Sequence, residues 1–92
     1  MIKTFRHKGL RQLFETGKAR NVAVDLSRRL IRQLDLLNRA TGPGDMNLPG
    51  NRLHELKGDR KGTWSVTVSG NWRITFTFRD VDAYDVDLED YH

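Results

Sequence analysis

Apolar positions recur with two different periods along this chain, and the period changes near its middle. Ile2–Phe5 reads as a short N-terminal strand. Leu10, Leu13 and Phe14 then fall at i, i+3 and i+4, the spacing of one helical face, which predicts a helix over Lys8–Thr16. Gly17 follows, where a residue without Cβ accepts the left-handed conformation that closes a helix. Asn21 is suited to cap a second helix, its side-chain oxygen accepting from free N–H groups of the first turn. Leu26, Leu30, Leu34 and Leu37 give that helix an apolar stripe, with Arg28, Arg29, Arg32 and Arg39 on its other faces. The stripe is too short for a coiled-coil seam and reads as a packing face. Thr41-Gly42-Pro43-Gly44 ends the helix, because proline has no N–H to continue the ladder and the glycines permit a reversal.

From Asp45 the period shortens to two. Asp45–Asn51 reads as loop, Arg52–Gly58 as a short edge strand, and Gly58–Gly62 as a glycine-bounded turn. Trp64, Val66 and Val68 alternate with Ser65, Thr67 and Ser69. After a turn at Ser69-Gly70-Asn71, Trp72, Ile74, Phe76 and Phe78 alternate with Arg73, Thr75, Thr77 and Arg79, the pattern of a strand buried on one side. Asp80-Val81-Asp82 turns again, and Tyr84, Val86 and Leu88 alternate with Asp85, Asp87 and Glu89. Helices followed by hairpins predict an α+β fold: a short N-terminal strand, two helices packed on one face of a small, mainly antiparallel sheet. Residues 1–92 form one domain. Alternation buries Trp72, Ile74, Phe76 and Phe78 and leaves Arg73, Thr75, Thr77 and Arg79 on an open face.

Composition narrows the chemistry. The 92 residues, 37% hydrophobic and 30% charged, suit one small globule with a thin core. The absence of cysteine excludes disulfides, thiolate catalysis and Cys-based metal sites, and fits a reducing cytoplasm. No apolar run is long enough for a membrane span, and MIKTFRHKGL lacks the apolar stretch of a signal peptide, so no membrane partner is expected. Lys and Arg number 16 against 12 Asp and Glu, a net charge of +4. All the basic groups precede Asp80, whereas residues 80–92 carry acids alone. A basic body attracts polyanions, of which nucleic acid is the commonest.

P-loop, GxGxxG and HExxH motifs and a nucleophile-elbow serine are absent, and His7, His54 and His92 are too scattered to announce a metal site, so neither metal nor cofactor is expected. Two polar groups remain. One is His54 and Lys57 with Arg60, Lys61 and, further on, Arg73; the other is Asp90-Tyr91-His92. Such residues are suited to cutting RNA without a metal. The ribose 2′-OH attacks the adjacent phosphate while a base takes its proton, cations hold the phosphorane and an acid protonates the leaving 5′-oxygen. The bland alternatives are a surface histidine, a solvent-facing arginine and a frayed tail. Alternation sets Arg73, Glu89 and Tyr91 on one face and Asp90 on the other, so Asp90 reaches the site only if the strand bends or ends there.

Leu53–Gly62, Asn71–Ile74 and Asp90–His92, together with the opening MIKTFRHKGLRQLFETG, resemble the HigB toxins of the RelE/ParE superfamily. The resemblance spans the chain and is strongest from Leu53 onward. It implies a RelE-like microbial RNase fold and a type II toxin that enters the ribosomal A site and cuts messenger RNA during translation. It also implies a HigA-like helix-turn-helix antitoxin as partner. The active-site positions it implies are His54, Lys57, Arg73, Asp90, Tyr91 and His92. RNA and ribosome contacts, including ribosomal RNA, fall to Lys57, Arg60, Lys61, Arg73, Arg79 and Tyr91. Two other readings stay open: a ParE-like gyrase poison that cuts nothing, and a non-catalytic RNA-binding module.

Overall fold

The computed structural model describes residues 1–18 and 23–91. Among them are helices α1 (Lys8–Thr16) and α2 (Val24–Arg39) and strands β1 (His54–Glu55), β2 (Trp64–Ser69), β3 (Trp72–Arg79) and β4 (Asp82–Asp90). The strands form one antiparallel sheet in the order β1-β2-β3-β4. The architecture is the α+β arrangement that the periodicity predicts.

Each helix follows from its sequence, with two additions. In α1 the His7 Nδ1 accepts the Leu10 N–H at 3.0 Å, so a histidine fills the capping role. Gly17 closes α1 at φ 76°, its N–H donating to the Leu13 carbonyl. The residue capping α2 is Ala23, without a side-chain bond; the Asn21 cap lies outside the described residues. Leu30, Leu34 and Leu37 of α2 are buried against Val66, Ile74, Phe76 and Val86 of the sheet. Burying each such side chain contributes about 1.5–3 kcal/mol, which carries the helix–sheet contact. The polar loop after α2 is not a surface loop throughout: Met46 and Asn51 are buried within it. Asn51 exchanges side-chain hydrogen bonds with Gln33 at 2.7 and 3.3 Å and donates to the Met46 carbonyl at 2.9 Å. It thereby ties loop, helix and sheet edge together.

Three expectations change. The N-terminal segment is not a continuous strand; it makes two isolated parallel bridges to β4, Ile2 with Ala83 and Phe5 with Val86. The interruption is a bulge at Asp85, whose backbone is left-handed at φ 55° and whose N–H goes to the Thr4 hydroxyl. The same extra residue shifts the phase of β4. Tyr84 therefore leaves the buried side and stacks with Arg79 on the open face, its ring 3.8 Å from the guanidinium carbon, while Ala83 and Val86 point inward. Third, Trp72 is 37% exposed. It opens β3 at the sheet end, beyond the bulge between Thr67 and Ser69 that skews its pairing onto Ser69. Trp64 stays partly buried against the core.

Candidate active site

The sheet register lines up residues on the face away from the helices. His54 pairs with Ser65 and Ser65 with Thr75; in the neighbouring row Thr67 pairs with Arg73 and Arg73 with Glu89. His54 and Arg73 thus belong to adjacent cross-strand rows of one face. Together with Tyr91, Arg52, Trp72 and Asn71 they line a recess of about 340 Å3.

His54 is exposed, and its Nδ1 lies 3.1 Å from the Arg52 carbonyl oxygen. A carbonyl only accepts, so Nδ1 carries the hydrogen and, in the neutral ring, Nε2 is the free acceptor. The carbonyl is presented by a local departure from ordinary backbone: Arg52 is left-handed at φ 49°, a conformation costly for any residue with a Cβ.

Arg73 is held from two directions. The Tyr91 ring covers its guanidinium at 4.1 Å, and Nη2 reaches Glu89 Oε1 at 3.4 Å. Its side chain is only 12% exposed, and Nε is buried without a partner among the described residues. Stacking and the Glu89 charge offset that unmet donor, whose cost is about 1–3 kcal/mol. Glu89 is the hub of the open face. Arg60 crosses from the loop after β1 to bind it with both Nη1 and Nη2, at 2.8 and 2.5 Å, and the Thr75 hydroxyl donates to it at 2.7 Å. Two guanidinium groups thus share one carboxylate, leaving this cluster positive.

The Arg60 hydrogen bonds hold the Glu89 carboxyl at about 2, against burial that opposes ionisation and with help from the Thr75 hydroxyl and the Arg60 and Arg73 charges. The same pairing raises Arg60 above its ordinary value. A carboxyl depressed on folding contributes stability that is complete above its unfolded value near 4.5 and is lost as pH falls toward 2. Glu89→Gln should therefore flatten the loss of stability between those pH values. Because Arg60 is partly exposed and screened, the expected effect is about 1–2 kcal/mol. Thermal melts of the two proteins across that range check it; parallel curves would contradict it.

The other sequence-predicted residues are placed less centrally. Lys57 and Lys61 are exposed on the loop carrying Arg60 and do not line the recess. Arg79 is at the opposite end of β3, committed to Tyr84. Asp90 is exposed at the last position of β4, paired in register with the recess-lining Trp72, and does not itself line the recess. His92 lies outside the described residues. Sequence reasoning missed Arg52, whose backbone conformation leaves no mark in composition. It also passed over the pairing of Glu89 with Arg73, although opposite charges on the same predicted face were the available signal. Among the described residues no three His, Asp or Glu side chains gather to hold a metal ion, and no helix is long and apolar enough to cross a membrane.

An open sheet face with a histidine, a stacked arginine and an aromatic ring, opposite two packed helices, places the domain among small RelE-like folds. A family model described as the RelE-like toxin of type II toxin-antitoxin system HigB matches residues 3–92, and the chain belongs to that family. It is 49% identical to a Proteus vulgaris protein named Endoribonuclease HigB, over the full length of both. It is also 32% identical to Toxin HigB-1 of Vibrio cholerae serotype O1, over 97% of this chain and 96% of the relative.

Proposed function

We propose that this chain is an endoribonuclease that cuts messenger RNA in the ribosomal A site, and that a HigA-like helix-turn-helix antitoxin restrains it. The observation that carries the reading is that His54, Arg73 and Tyr91 share one recess. They supply a proton acceptor, a cation for the phosphate and a ring for a base. The name of the Proteus vulgaris relative supports the ribonuclease assignment. In the proposed reaction His54 Nε2 takes the 2′-OH proton as the 2′-oxygen bonds to phosphorus. Arg73, with Lys57 three residues after His54, stabilises the phosphorane charge. The P–O5′ bond then breaks, an acid protonates the 5′-oxygen, and the products are a 2′,3′-cyclic phosphate and a 5′-hydroxyl. His92 is the proposed acid and Asp90 an orienting carboxylate, both assigned through the family resemblance. Tyr91 stacks on the displaced base. Arg60, Lys61 and Arg79 extend the basic face toward message and ribosomal RNA. The recess is shallow and flexible RNA is hard to align in it, so the ribosome supplies the missing orientation.

Cell-free translation followed by primer extension tests this. Cuts should appear inside translated messages, withstand chelation once ribosomal Mg²⁺ is restored, and be nearly absent on naked RNA. Intact message accompanied by gyrase-linked DNA breaks, or equally fast cleavage of free RNA, would overturn the proposal.

A further inference from the structure

Around the edge of β2 from the His54–Arg73 recess lies a second basic hollow, of about 180 Å3. Arg29 and Arg32 of α2 form one wall, and Gly50, Asn51 and Thr67 form the other. Thr67 also lines the His54–Arg73 recess, so the two hollows share a bordering residue. The edge between them is firmly built. β1 pairs with β2 only at Trp64 and Ser65, and beyond that the Thr67 N–H donates to the Asn51 carbonyl at 2.7 Å. Asn51 is itself buried and bonded to Gln33, which fixes α2 and its arginines relative to the strand edge.

Arg29 and Arg32 stand three residues apart on α2, so they project from neighbouring positions of the helix surface. Both are exposed, and neither guanidinium is bonded to a described residue. The open-face cations behave differently, since Arg60 and Arg73 are tied to Glu89. Two unneutralised guanidinium groups beside a polar hollow match the oxygens of a phosphodiester. Any RNA strand with one phosphate at Arg73 must leave the recess on either side, carrying a negative charge at every nucleotide.

We infer that Arg29 and Arg32 form a second phosphate-binding subsite, which grips the same RNA strand away from the cut phosphate as it passes over Thr67. The inference rests on the ribonuclease reading and adds to it a path for the strand.

The test uses uncleavable 2′-O-methyl RNAs of 4 and 12 nucleotides, with binding followed by fluorescence anisotropy from 50 to 200 mM KCl. Two single-strand phosphate contacts at about 0.7 each should lower the salt slope of Arg29→Ala/Arg32→Ala by about 1.4 on the long RNA. The wild-type advantage then shrinks about sevenfold across that salt range. The short RNA, filling only the first recess, should bind both proteins alike. Arg28→Ala, on the same helix but outside the hollow, should match wild type, and all variants should melt as wild type does. An unchanged slope on the long RNA, an equal loss on the short RNA, or the same loss in Arg28→Ala would overturn the inference. So would a double variant that binds RNA normally but no longer binds antitoxin, which assigns the hollow to the protein partner. Wild-type protein that fails to cut message on ribosomes sinks the ribonuclease reading instead; intact cleavage with an unchanged slope sinks only the second subsite.

Discussion

Arg73→Ala is expected to slow message cleavage on ribosomes by about 10²–10³-fold, the usual effect of removing one preorganised donor from a developing negative charge. The loss should come without unfolding. Glu89 keeps both of its short bonds from Arg60 and the Thr75 hydroxyl, and the hydrophobic core lies across the sheet. The more telling variant is Arg73→Lys. The native guanidinium sits over the Tyr91 ring and bonds Glu89 through one nitrogen. Its planar shape lets it stack, bond Glu89 and meet phosphate oxygens at once; an ammonium gives a point charge without stacking or a fork. Arg73→Lys should therefore recover little of the lost rate. Full activity in Arg73→Lys, measured by primer extension, would reduce the role to general electrostatics.

How Arg73 came to be recognisable bears on what a sequence of this kind displays. Period-two alternation placed Arg73, Glu89 and Tyr91 on one face, and the structure joins these three by stacking and an ion pair. Within an undisturbed strand the side-chain direction is fixed by the pleat, so such groupings can be read directly. The reading fails where a strand is disturbed. The bulge at Asp85 adds one residue, and Tyr84 moves to the face opposite the one its place in the alternation suggests. Trp72 is misread for a related reason, since the pattern says which side a residue faces and not where the helices stop covering the sheet. Alternation sets Asp90 on the face opposite Arg73 unless the strand bends or ends there, and β4 ends at Asp90, paired with Trp72. Least visible was the support for His54. It depends on a left-handed Arg52, a single-residue feature that neither periodicity nor composition encodes.

That support leads to the second large effect. His54→Ala is expected to lower ribosomal cleavage by about 10²–10⁴-fold, the range for a general base or acid. The side chain is exposed, so cooperative unfolding should stay near wild type. The Arg52 carbonyl makes a sharper comparison possible. His54→Asn keeps a side-chain N–H near the position of Nδ1, able to donate to that carbonyl, but offers no titratable nitrogen in place of Nε2. If His54 acts by moving a proton, His54→Asn should be as inactive as His54→Ala even though the local hydrogen bond survives. If His54 merely braces the start of the β1–β2 hairpin, His54→Asn should restore most of the activity while His54→Ala does not. Single-turnover cleavage on programmed ribosomes separates the two, provided toxin binding is measured alongside by co-sedimentation. A histidine that works through its base costs rate with binding intact, whereas one that only positions the recess costs both together.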